Sequence, residues 1–356
     1  MRVSWKSGRL SVDGREVSPV VAARESIRAA DAGDVIVTST PALCALAQAG
    51  VRVWSAFSSA RLVLEDVHHA AARAGVEVAD EAMEHVVQFV LRFAGVASNG
   101  IPLDAERLAV HLRSRDRQVR RAARALLSAS VDGIVRPVWA FRDASTWRLY
   151  ARRPAFQSFP AAVRDAMCVA ILDVSLAELT VAAALAGRGK LYDLATRRAG
   201  DDRLIPKDYD RAAAKRAVYS AIHGSDDVPR WATELVAEAR EAARRVTHSP
   251  ISGLPVPPHP RACPALPVLV SDMVREGFVH VFKAILSWSR TNFFLPTGLW
   301  HDALVLSFWP GVSEGDVDFA ARIFARGCRE ALVAAGLADV PVRVRVTWAS
   351  RAGVQR

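Results

Sequence analysis

The chain has 356 residues, 51% of them hydrophobic and 24% charged, a composition that builds a buried core and excludes a disordered chain. The length accommodates two or three domains. Lys and Arg number 47 against 37 Asp and Glu, a net charge of +10, which favours a polyanionic partner such as nucleic acid or an acidic surface.

Cys44, Cys168, Cys263 and Cys328 stand far apart, without CxxC or Cys/His spacing. That argues against a disulfide scaffold and a structural zinc site. The longest uncharged run, Val35 to Val51, contains Thr38, Ser39, Pro41 and Gln48 and is too polar to span a bilayer. The opening MRVSWKSGR lacks the apolar core of a signal peptide. A soluble, cytoplasmic protein with no membrane partner is expected.

In chain order, residues 1–75 read as a small α/β lobe. Ser18-Pro19 sets a cap residue before a proline and opens a helix towards Ala32. Asp34 to Thr38 is a short strand, Thr40-Pro41 opens a second helix closed by Gly50, and Val51 to Trp54 is a further strand. His68 and His69 are adjacent, point about 100° apart on a helix, and read as surface or packing residues. Residues 78–130 are helical, with Met83, Val86, Val87, Val90 and Leu91 as a core stripe. Asn99-Gly100 breaks the helix and Asp104 caps the next. The stretch from His111 to Arg124 carries six arginines on several faces. It reads either as a solvated helix or, through residues such as Arg117, Arg120 and Arg121, as a set of phosphate contacts along a nucleic-acid backbone.

Residues 137–225 alternate short strands and helices. A charged helix from Trp231 to Val246 precedes a proline-rich hairpin or connector, His248 to Pro260. Leu266 to Ser289 is a long apolar helix, a strand–turn–strand surrounds His301-Asp302, and Phe319 to Ala335 is helical. Val340 to Trp348 alternates strictly and reads as a strand. No internal repeat is present.

Three segments carry chemistry. In the first, the apolar strand Met167 to Leu172 ends in Asp173, and Glu178 follows one helical turn into the next element. An Asp at a strand end is rigidly aimed and suits a metal ligand, although it equally caps a helix. In the second, Arg211, Lys215 and Tyr219 are spaced i, i+4, i+8 with His223 a turn further on. Two cations followed by rings on one stripe suit a triphosphate whose base stacks on the rings, or simply a solvated basic face. In the third, His301-Asp302 sits at a turn beside a strand. Two carboxylates from distant strands can hold two divalent ions roughly 3.5–4 Å apart, which activate a hydroxyl and stabilise a leaving pyrophosphate.

The order of these pieces resembles motifs A, B and C of the family A DNA polymerases, which commonly read D-Y-S-x-x-E-L-R, R-x-x-x-K-x-x-x-F/Y and H-D-E. Thr146-Trp-Arg148-Leu149 resembles the family's T-G-R-L, and Pro154-Ala-Phe-Gln157-Ser-Phe-Pro160 its P-N-L-Q-N-I-P just before motif A. Val340 to Arg351 resembles the closing strand and Asn99 to Asp104 the entry to the thumb. The likeness covers roughly residues 95–356, with gaps.

That resemblance implies an α+β right-hand polymerase with an antiparallel palm sheet, helical fingers and a reduced thumb, plus the small N-terminal lobe. Residues 76–136 would be thumb-like, 137–356 the palm, with fingers inserted at about 187–290, and 1–75 a remnant of an exonuclease domain. The lobe has no D-x-E on a strand, so no 3′–5′ proofreading is expected. The implied activity is template-directed addition of dNTPs to a primer 3′ end in DNA replication or repair, with Mg²⁺ or Mn²⁺ as cofactor and primer–template DNA as partner. Asp173 and Asp302 would ligate the metal. Arg211 and Lys215 would hold phosphates, with Lys215 protonating the leaving pyrophosphate. Tyr219 and His223 would line the nucleotide site and Glu178 would block the ribose 2′-hydroxyl. Arg148, Gln157 and His301 would touch the primer–template, as would Arg117, Arg120 and Arg121. Five positions depart from the family pattern: Ala303 replaces the last carboxylate of motif C, His223 a tyrosine, Ser220 a glycine, Thr180 an arginine and Trp147 the glycine of T-G-R. They leave a second reading, a DNA-binding protein that kept the polymerase fold and lost catalysis.

Overall fold

The computed structural model describes residues 2–6, 9–12, 15–16, 36–37, 75–79, 100–141, 146–197, 209–256, 263–286, 294–308 and 311–349, with single positions between 81 and 93. Cys44, His68, His69, the strand expected at Val51 to Trp54 and the stripe residues Val87, Val90 and Leu91 lie outside the described residues.

Near the N-terminus, β1 (Arg2–Lys6), β2 (Arg9–Val12), β3 (Arg15–Glu16) and β4 (Ile36–Val37) form a sheet in the order β3-β2-β1-β4, with β1 and β4 parallel. β4 falls inside the strand read at Asp34 to Thr38. The β1–β2 hairpin was not anticipated, although Gly8 in a two-residue connection between apolar-alternating runs is a hairpin signal.

From residue 100 onwards the sequence punctuation sets the elements. Asp104 accepts the Arg107 amide and starts α1 (Ala105–Leu112). Asp116 accepts the Gln118 and Val119 amides and starts α2 (Arg117–Ala129). Each cap satisfies amides that the first turn leaves unpaired. Val119, Ala122, Ala123 and Leu126 form the buried stripe of α2, so its arginines fall on the outer faces. Around this pair lie β5 (Ile101–Pro102), β6 (Ser130–Val131) and β7 (Ile134–Val135), then the hairpin β8 (Val138–Phe141) and β9 (Leu149–Arg153).

The central sheet is built from β10 (Val169–Val174), β11 (Phe294–Trp300), β12 (Ala303–Phe308) and β13 (Val344–Trp348), ordered β11-β12-β10-β13 and antiparallel throughout. Every residue of β12 is buried, as befits a strand covered on both faces. The buried hydroxyls of Thr297 and Ser307 pair with each other across β11 and β12. β13 is shorter than the strand read from alternation: pairing begins at Val344, because residues 340–343 make no ladder.

Short α3 (Ala161–Arg164) precedes β10, and α4 (Ala177–Ala186), α5 (Lys190–Arg197), α6 (Arg211–Ile222) and α7 (Thr233–Arg244) lie between β10 and α8 (Ala265–Leu286). Ala177 to Ala184 are all buried, the pattern of a helix packed on every side. α9 (Glu314–Ala334) begins five residues before the expected Phe319, because Ser313 and Asp316 form a capping box. α8 lies on β11 and β12, α9 on β10 and β13, and the two long helices pack against each other. That crossing is close: a Cβ on Gly277 would stand 2.5 Å from the Cys328 sulfur, and one on Gly327 2.6 Å from the His280 Cβ. Within the mostly apolar α8, Asp272 and Arg275 form a fully buried ion pair, joined by the Ser252 hydroxyl on Asp272 and by the Trp147 carbonyl, which accepts from Arg275 at 2.5 Å.

Candidate active site

Asp173 is the fifth residue of β10, next to the last, and pairs in register with Ala303 of β12 on one side and Arg345 of β13 on the other. Residues directly opposite across antiparallel strands share a face, so Ala303, Asp173 and Arg345 form one row. Asp302 lies in the two-residue turn, His301-Asp302, that joins β11 to β12. Its carbonyl accepts the Val174 amide at 3.1 Å, which fixes the turn to the end of β10. The hairpin closes with His301 in the left-handed region at φ 57°.

The electrostatics register the proximity. Burial and then the Asp302 charge raise the Asp173 pKa, against opposing pulls from Lys215 and Arg345. The Arg345 guanidinium reaches the Asp173 carboxylate at 3.3 Å. Lys215 therefore faces the carboxylates from α6, with its ammonium 5.4 Å from the centroid of the Tyr219 ring. Burial, followed by the charges of Glu178 and Asp302, holds the Tyr219 hydroxyl well above the ordinary phenol range, with Asp173 adding to the effect.

Glu178, in the first turn of α4, is buried at 8% exposure. Its carboxylate meets the His223 Nε2 at 2.6 Å. His223 is the C-cap of α6, and Asp210 caps the other end by accepting the Ala213 amide at 2.6 Å. Thus Asp173 and Glu178, then Lys215, Tyr219 and His223, then Asp302 come together from three segments. Arg211 opens α6 on the same i, i+4 stripe as Lys215; its side chain lies outside the described atoms.

The remaining residues sit around this centre. His301 has an exposed surface, its ring is 5.9 Å from that of Tyr150, and its pKa is lowered by partial desolvation and then by Arg148. Arg148 and His301 line one small cleft, with room of about 10 Å³, together with Trp147, Leu149, Ser271 and Arg275. Trp147, which stands where the resemblance places a glycine, keeps a left-handed backbone at φ 48° and is fully buried, its indole donating to the Pro255 carbonyl at 2.8 Å. A bulky residue there costs on the order of 1–3 kcal/mol, which the buried ring offsets.

Gln157 is turned inward: with its amide oriented to match its neighbours, its oxygen accepts from the Ala151 amide at 2.8 Å and its nitrogen donates to the Ala151 carbonyl at 3.3 Å. Arg117 and Arg121 are exposed on α2, whereas Arg120 is half-buried and donates to the Ser114 and Arg115 carbonyls. These three stand on a separate helix from the carboxylates. Arg345 was not singled out from sequence. Alternation shows that it shares a face with Arg343, but not which strand would lie beside it.

Among the described residues, no three His, Cys, Asp or Glu side chains are placed to hold a metal ion together. The two aspartates nonetheless suit Mg²⁺, which is commonly bound by one or two carboxylates with substrate phosphates and water completing the octahedron. Two carboxylates close enough for one to raise the other's pKa are a pair whose repulsion a cation relieves.

No family model matches the chain, and no curated protein matches it. Among solved structures, the chain is similar to the POL domain of Pol1 from M. smegmatis in complex with DNA primer-template and dNTP, with a TM-score of 0.53 and 15% identity over 78% of this chain and 71% of that one. The fold is therefore a mixed helix and antiparallel-sheet fold resembling a polymerase domain. Among the described residues, no helix is long and apolar enough to cross a membrane.

Proposed function

We propose that the protein is a template-directed DNA polymerase of the family A kind, adding dNTPs to a primer 3′ end without proofreading. The observation that carries this reading is the meeting of three distant segments at one point: Asp173 with Glu178, Lys215 with Tyr219 and His223, and Asp302. A polymerase-like fold with those groups elsewhere would not support it.

On this reading the central sheet is the palm, the helices between about 187 and 290 the fingers, residues 76–136 a reduced thumb and residues 1–75 a remnant lobe. Asp173 and Asp302 would hold Mg²⁺, or Mn²⁺, which supplies a positive centre for the attacking hydroxyl and the departing pyrophosphate. Lys215, and Arg211 a turn before it, bind the triphosphate, with the Lys215 ammonium able to give a proton to the leaving group. Tyr219 offers a face for the incoming base. Glu178, held by His223, stands beneath the sugar and excludes a 2′-hydroxyl. Arg148 and His301 meet the primer end, and Arg117 and Arg121 the duplex phosphates. Such an enzyme would work in the cytoplasm, in replication or repair.

Two observations favour the second reading, a DNA-binding protein with lapsed catalysis. Ala303 puts a methyl group beside Asp173, and Arg345 already engages that carboxylate. Primer extension with Mg²⁺ or Mn²⁺ decides between them. Incorporation that disappears in Asp302→Ala identifies a polymerase. Tight primer–template binding with no incorporation in the parent protein identifies the lapsed form.

A further inference from the structure

Arg345 is the one strongly polar neighbour of Asp173 within the sheet itself. Its place is set by register, directly opposite Asp173 on β13. The guanidinium side chain is 70% exposed while the Asp173 side chain is 24% exposed. Such a pair contributes little to stability, because an exposed cation on a long stem gains little from a partner it shares with water. On the other side of Asp173 stands Ala303, buried at 3% and without a ligand atom in its side chain.

The charges around the pair are two carboxylates, Asp173 and Asp302, and two permanent or near-permanent cations, Lys215 and Arg345. Their sum is close to zero. A bare divalent ion approaching Asp173 would meet a guanidinium already in place, while the third carboxylate of the site, Glu178, is engaged by His223. A triphosphate changes the balance, since its oxygens bring the missing negative charge and offer the guanidinium an alternative bidentate partner.

We propose that Arg345 is a built-in counter-cation of the Asp173/Asp302 pair, keeping a bare divalent ion off these carboxylates and admitting it together with the nucleotide triphosphate. The proposal rests on the polymerase reading, because it takes Asp173 and Asp302 as the metal ligands. Arg345 is a positioning residue: it acts through Asp173.

The test is direct Mn²⁺ binding to the full chain, read by the electron paramagnetic resonance of the free ion, without nucleotide and then with a non-hydrolysable dNTP analogue. Arg345→Gln removes the charge, and Arg345→Lys retains it. One charge against two, a few ångströms apart in a nearly aqueous dielectric, corresponds to about tenfold in affinity at low salt. Arg345→Gln is expected to bind bare Mn²⁺ about tenfold more tightly than the parent, Arg345→Lys to follow the parent, and the gap to narrow once the analogue is present. Equal Mn²⁺ affinity in parent and Arg345→Gln, with binding lost in Asp302→Asn, overturns the role of Arg345 and leaves the polymerase reading intact. Mn²⁺ binding that is absent from the parent in both conditions, or unchanged in Asp302→Asn, overturns both.

Discussion

A carboxylate as buried as Glu178 needs a partner, and here the partner is an imidazole from another helix. His223→Ala would leave that acid without it, at a cost of about 1–3 kcal/mol in denaturant-monitored stability. If Glu178 stands beneath the incoming sugar, the same variant loosens it, and Glu178→Ala removes it. Both should raise ribonucleotide incorporation in competition with dNTPs, and unchanged discrimination in both would show that Glu178 does not touch the sugar. Asp173 gives a different signature. Burial, then Asp302, raises its pKa above the ordinary carboxylate value, so the folded chain holds that proton more tightly than the unfolded chain does. The associated stability is full below the unfolded pKa and is lost as pH rises through the raised folded value. At pH 7 the ionised Asp173 is thus a cost of folding. Asp173→Asn should melt about 2 °C above the parent at pH 7, with the gap closing on acidification, while incorporation is abolished.

Among the elements, the crossing of α8 and α9 depends on two residues with no side chain. Gly277→Ala drives a methyl group into Cys328 and the Phe324 ring, and Gly327→Ala drives one into the His280 side chain. Each should cost about 1–3 kcal/mol in thermal or denaturant unfolding, more than alanine's helix propensity returns. At this scale much was legible in the sequence. The cap at Asp104, the alternation of β13 and the strand–Asp–helix step at Asp173 are local signals, and each marks an element that forms. What was not legible depends on partners far along the chain. The start of α9 was misplaced because Gly315 obscured the Ser313 capping box. The Asp272–Arg275 pair lies on the fully buried side of a mostly apolar helix, where Ser252 and the Trp147 carbonyl explain it. Of the candidate site, the three segments could be named by type and order, but the Glu178–His223 contact and the presence of Arg345 required the sheet register.

For the whole molecule, the net charge of +10 predicts binding to primer–template that weakens steeply with salt, by roughly 0.9 log units per log unit of salt for each phosphate neutralised. Arg117 and Arg121 are exposed on the outer face of α2, while Arg120 is engaged with the preceding loop. Replacing all three with Gln should flatten the slope, and the Arg117/Arg121 double variant should account for most of the change. A slope identical to the parent's would place the DNA elsewhere. Loss of Arg148, beside His301, should reduce extension more than binding. The sheet order also has a consequence for synthesis of the chain. β10 is flanked on both sides by strands that come far later, Arg345 being 172 residues beyond Asp173. At about 5–20 residues per second, a ribosome exposes the apolar run Val169 to Leu172 for about 10–30 s before its last neighbour is made. Through that interval β10 offers two open edges to any other nascent strand. The yield of folded protein should therefore depend on how quickly translation passes from Leu172 to Trp348, and on chaperones that shield the strand meanwhile.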